Sequence, residues 1–115
     1  MNMDEVFTAI AADPVAAVSK SLGRTESPFM ARLPDHMHAG IAKYVLTGIV
    51  PGSFLRAVFA GELELAERHA DPTNKPLLEV YGDFLEFEAP PDCWGSPKRV
   101  QEWVERGGLF GKVAA

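Results

Sequence analysis

Apolar residues recur along most of the chain at spacings of three and four, the mark of amphipathic helices with one face turned to a core. The first such pattern covers residues 4–12, with Asp4 placed to cap it and Val6, Phe7 and Ile10 on one face. Asp13-Pro14 predicts a restart, because aspartate accepts from the free N–H groups of a first turn and proline at the first helical position loses no bond. Val15, Val18 and Leu22 form the stripe of this second helix, and Gly23 suits its stop. Residues 24–34 hold Ser, Thr and two prolines without any period, and read as a linker.

Pro34-Asp35 opens the next helix, in which Met37, Ile41 and Val45 stand at i, i+4 and i+8 beside Tyr44, and Gly48 ends it. Pro51-Gly52 reads as a turn and Ser53 as the N-cap of a helix carrying Leu55, Val58, Phe59 and Leu63. Gly61 weakens the middle of that run and marks a break near Gly61-Glu62, after which helical residues continue to Asp71-Pro72. The strongest pattern follows: Leu77, Leu78, Tyr81, Phe84, Leu85 and Glu88 keep a helical period, with Glu79, Asp83 and Glu86 on the outer face. Pro90-Pro91 ends it. Ser96-Pro97 then starts a helix with Val100, Trp103 and Val104 as its stripe, closed by Gly107-Gly108. Leu85-Glu86-Phe87-Glu88 alternates as a strand would, but it completes the longer helical pattern. The expectation is an all-α protein: a compact bundle of five to six short helices, with residues 1–32 as an N-terminal helical arm and linker, 33–108 as the core domain and 109–115 as a tail from which Leu109 and Phe110 tuck back.

Composition narrows the class. The 115 residues are 47 % hydrophobic and 23 % charged, the balance of a globular domain that needs no metal or disulfide staple. Sixteen acidic residues against eleven Lys and Arg leave a net charge of −5, which argues against general nucleic-acid binding. Cys93 is the single cysteine, so no internal disulfide forms and a reducing compartment is expected. The start, Met-Asn-Met-Asp-Glu, is acidic where a signal peptide is basic, and every apolar run is too short to span a bilayer; the expected location is the cytoplasm.

Two helix starts are alike: Gly52-Ser53 with Arg56, and Gly95-Ser96 with Arg99. A helix N-terminus presents free N–H groups and partial positive charge, glycine admits a ligand to the backbone, and the arginine reaches the same end. Each start reads either as an ordinary cap or as one half of a site for a small anion; neither completes a phosphate-loop motif. His36 and His38 diverge on a helix, and no spacing with His69 and Asp71 suits a metal, so none is expected. Cys93 reads as a small buried residue or as a thiol activated by the helix start beside it, though no Cys/His signature accompanies it. Glu79, Asp83 and Glu86 read as a solvated face or as a surface for a basic partner. Trp94, in a Gly/Pro-rich loop, lids the core or stacks on a ligand, with Tyr44 a second ring for such a site. Phe29 and Met30, apolar inside the linker, suggest docking on the same chain or on a second copy, and the N-terminal helices offer a surface for a homodimer.

Several segments also share a pattern: Met37-His38-Ala39-Gly40-Ile41 to Tyr44, Gly48 through Pro51-Gly52-Ser53-Phe54-Leu55 to Val58, Leu63 to Asn74, and Ala89-Pro90 through Cys93-Trp94-Gly95-Ser96-Pro97 to Trp103. In these, Leu33–Trp103 resembles short helical proteins encoded by tailed phages and prophages. That resemblance implies an accessory role in a host cytoplasm, counter-defence among the possibilities, and implies no mechanism. The expected function is a non-enzymatic binding protein, without cofactor, that sequesters a small anionic, nucleotide-like ligand through Gly52, Ser53, Arg56, Tyr44, Trp94, Gly95, Ser96 and Arg99. The alternative is an acidic inhibitor of a host protein, acting through Glu62, Glu64, Glu79, Asp83 and Glu86; an enzyme built on Cys93 is a third reading.

Overall fold

A computed structural model describes residues 2–114, with side chains described as far as Gly111. The helices are α1 (Met3–Ala12), α2 (Pro14–Ser21), α3 (Pro28–Arg32), α4 (Asp35–Thr47), α5 (Ser53–Phe59), α6 (Leu63–His69), α7 (Leu78–Phe87), α8 (Pro97–Arg106) and α9 (Gly108–Ala114), and no strand occurs among the described residues. Short 3-10 turns at Lys75–Leu77 and Pro91–Cys93 lead into α7 and α8. The protein is therefore all-α, with nine helices among the described residues rather than five or six. The additional ones are α3 in the segment read as a linker, α6 as a separate helix after the break, and α9 in the tail.

Local chemistry explains most of the boundaries. Asp13 Oδ1 accepts from Ala16 N and Ser96 Oγ from Arg99 N, each with proline next in the chain. Asn2, not Asp4, caps α1, accepting from Glu5 N, and Asp4 lies in the first turn where its charge suits the helix dipole. The break after α5 is a Schellman stop: Gly61 N donates to Val58 O and Glu62 N to Ala57 O, with Gly61 at φ +74°. Ser53 does not cap α5. Gly52 holds the extended N-cap position and Ser53 is the first helical residue. Without a proline to set the register, as Pro97 does after Ser96, the Pro51-Gly52 turn starts the helix one residue early.

Helix α4 lies at the centre of the core, with Ile41, Ala42, Tyr44, Val45 and Leu46 buried. The N-terminal helices are laid along it, and Val6, Ile10 and Val18 join the same apolar cluster as Phe59, Phe84 and Trp103. The Cα radius of gyration is 13.1 Å, close to the ~13–14 Å of a compact chain of this length. Segment 24–34 docks on its own chain. Met30 is fully buried, Phe29 stacks on Phe87 at 5.9 Å, and the buried Glu88 carboxylate accepts from Phe29 N at 2.7 Å and Met30 N at 3.0 Å. Glu88 falls on the apolar stripe of α7 because it closes the open N-terminus of α3, and five residues cannot hold a helix unaided.

The C-terminal helix packs on α4, with Leu109 and Phe110 against the core. Two glycines allow this approach. A Cβ on Gly48 would stand 2.6 Å from Gly108 N and 2.8 Å from Gly107 C, and Gly48 and Gly108 both have positive φ. Gly48→Ala is expected to cost about 2–4 kcal/mol, combining left-handed strain with a backbone clash that no side-chain rotation relieves. Urea denaturation measures it.

Candidate functional site

Tyr44 organises the region around Cys93-Trp94-Gly95. Its ring lies 4.3 Å from that of Phe59, its hydroxyl donates to Cys93 O at 2.6 Å, and its own carbonyl accepts from Trp103 Nε1 at 3.0 Å. Tyr44 is fully buried, so it is a core residue that holds the loop in place and offers no surface to a ligand. Burial also pushes its hydroxyl well above the usual tyrosine range. Gly95 N donates to Phe59 O at 2.8 Å, which fixes the loop to the C-terminal end of α5. Gly95 O would lie 3.1 Å from a Cβ on Gly61, so these two glycines meet backbone to backbone.

This attachment separates the two Gly-Ser starts. Gly95-Ser96 sits against the end of α5 at Phe59, whereas Ser53 stands at its beginning, about 9 Å away along the helix at 1.5 Å per residue. Gly52, Ser53 and Arg56 are exposed and do not line the hollow in which Ser96 and Arg99 lie. Ser96 and Arg99, with Lys98, Arg106, Asp92 and Glu102, line a hollow of about 490 Å³ along α8. Its cations differ: Arg99 Nη1 donates to Pro91 O and lies 3.4 Å from Trp94 O, the exposed Lys98 Nζ is 3.9 Å from Glu102 Oε1, and Arg106 covers the Trp103 ring at 4.6 Å while its enclosed Nε donates to no acceptor among the described residues.

A larger groove of about 750 Å³, lined in part by Trp94 and Gly95 of the same loop, opens between α6 and α7. Its apolar lining is Val58, Leu63, Leu78, Leu85 and Trp94. Its acidic lining is Glu67 from α6 and Glu79, Asp83 and Glu86 from α7, with Gly61, Gly82 and Gly95 completing the wall. None of these carboxylates is in an ion pair among the described residues, and no Lys, Arg or His is part of the lining. Leu63 is 70 % exposed, a leucine turned to solvent at the groove's edge. Trp94 packs against the core and also lines the groove; its enclosed Nε1 donates to no acceptor among the described residues. The α7 carboxylates and Trp94 were legible as candidates. Val58, Leu63, Leu78 and Gly82 were not, since nothing in their spacing says that α6 and α7 leave a gap.

The histidines part ways. His36 Nε2 faces Asp71 Oδ2 at 3.3 Å, and buried His38 bonds Leu33 O at 2.8 Å. The Asp71 carboxyl is held below its usual range, chiefly by the Asn74 N–H and then by His36. Among the described residues no three His, Cys, Asp or Glu side chains are grouped to hold a metal, and no helix is long and apolar enough to cross a membrane. No family model, curated protein or solved structure matches the chain.

Cys93 is fully enclosed, and burial pushes its thiol far above the usual cysteine range. The helix start at Ser96 does not offset that burial, so the sulfur is held as a thiol at neutral pH. A thiol reagent at pH 8 is expected to label the native protein at least roughly a hundredfold more slowly than the urea-unfolded chain. Labelling at equal rates would show that the sulfur is accessible.

Proposed function

We propose that this is a non-enzymatic binding protein whose working surface is the groove between α6 and α7, and that its partner is a protein presenting a basic surface with an apolar centre. The observation that carries the reading is the groove's composition: five apolar side chains among four carboxylates and not one basic residue. Apolar area removed from water supplies affinity, while a rim of one sign speeds encounter and rejects acidic partners. The resemblance to short phage proteins supports a host protein as that partner, in an accessory or counter-defence role. A host protein that binds nucleic acid displays basic surface of this kind. The paired double variant Glu79→Lys/Asp83→Lys is expected to keep the wild-type melting temperature within about 2 °C, since surface changes of this kind cost little. It should lose any host-extract partner that wild type retains at low salt and releases at high salt. Retention of that partner by the double variant would overturn the reading.

A second reading keeps the small anion, at the hollow along α8. Lys98 and Arg99 in the first turn of a ten-residue helix, with Arg106 from its last turn, support it; Asp92 and Glu102 in the same wall oppose it. A nucleotide at about 1 mM is expected to raise the melting temperature if this site serves, because a ligand bound only by the folded state stabilises it by mass action. No rise with any common nucleotide counts against it.

A further inference from the structure

Most of the glycines with a structural duty in this fold declare it through positive φ or a close backbone neighbour, as Gly48, Gly61, Gly95 and Gly108 do. Gly82 has neither. It stands in the interior of α7 with φ outside the left-handed region, and a Cβ built on it would meet nothing within 4 Å. Glycine in a helix interior is unfavourable relative to alanine, so the free chain is less stable for having it. It lies in the groove lining, on one line with Leu78 and Glu86 at i−4 and i+4. Its missing side chain leaves a notch in the wall, open to whatever enters.

The kind of occupant follows from backbone chemistry. The groove wall is helical and its lining mostly apolar, so it offers no ladder of free N–H and C=O groups. An extended segment pressed onto it would bury its own backbone polar groups without partners. A helix satisfies those groups internally and shows only side chains, which is the helix-in-groove mode of recognition. The carboxylates Glu79, Asp83 and Glu86, at i, i+4 and i+7 along the rim, select basic side chains beside the helix's apolar face.

We infer that the groove receives an amphipathic α-helix of a partner protein, with a Lys- or Arg-bearing edge along Glu79, Asp83 and Glu86 and its backbone closest to α7 at Gly82. This rests on the binding function proposed for the groove and specifies what the groove binds. Gly82 is then kept for close approach of two helices, at the expense of the stability of the free chain.

The test uses the full chain and three fluorescein-labelled synthetic peptides of about five helical turns. The first has leucines on a helical stripe flanked by lysines. The second has each lysine replaced by glutamate. The third is the first one with two central residues changed to proline, so that it cannot be helical. Fluorescence anisotropy at low salt should show the lysine helix binding with micromolar Kd, and the other two at least about tenfold more weakly. Gly82→Phe should weaken the lysine helix at least about tenfold. Gly82→Ala should weaken it several-fold while raising the melting temperature by about 3–6 °C, a combination that damage to the fold does not produce. If the proline peptide binds as tightly as the helix, or both Gly82 variants leave Kd within twofold, the helical occupant is wrong and the groove stands. If none of the three peptides binds, both the occupant and the groove reading fall.

Discussion

Tyr44 is the contact on which the placement of the Cys93-Trp94-Gly95 loop, α5 and α8 depends. One residue of the central helix reaches three others: its ring meets Phe59 of α5, its hydroxyl holds the Cys93 carbonyl and its carbonyl receives the Trp103 indole of α8. Each bond is buried, where an unmet partner is costly, so the three elements keep one relative position. The loop thus placed carries Trp94 and Gly95, which form the end wall of the groove. A ring that invites a ligand-stacking role by its chemistry instead spends every polar atom on positioning.

Close backbone contact, rather than long side chains, sets the remaining geometry. Gly48 against Gly108 brings α9 onto α4, and Gly61 against Gly95 brings the loop onto the turn between α5 and α6. Short helices joined this way have few residues each with which to interlock. Ends are therefore closed across the chain as well as within it, as Glu88 at the end of α7 does for α3. Gly82 stands apart from this economy: a Cβ on it would meet nothing within 4 Å, and it lies in the groove wall.

The helix class, the course of α1, α2, α4, α7 and α8, and the stops at Gly23, Gly48 and Gly107 were legible because each is written locally, in a stripe, a cap or a glycine. The proline after Ser96 made its cap certain in register; the absence of one after Ser53 let that start slip by a residue. Helix α3 was hidden because its stability comes from Glu88, nearly sixty positions away, and α9 because it depends on Gly48. Among the residues singled out for function, Trp94 and the α7 carboxylates lie together in one groove, whereas Gly52, Ser53 and Arg56 stand apart from Ser96 and Arg99.

By itself the sequence determined that the chain is acidic and without an internal disulfide, from its residue counts, and that it is helical and which face of each main helix is apolar, since those two properties follow from neighbours three and four residues apart. Only the tertiary structure decided which faces meet and where they fail to meet. Whether two like helix starts converge, whether an acidic stripe borders water or an apolar floor, and whether a glycine is crowded or open are set by distances between segments remote in the chain. No local period carries that information.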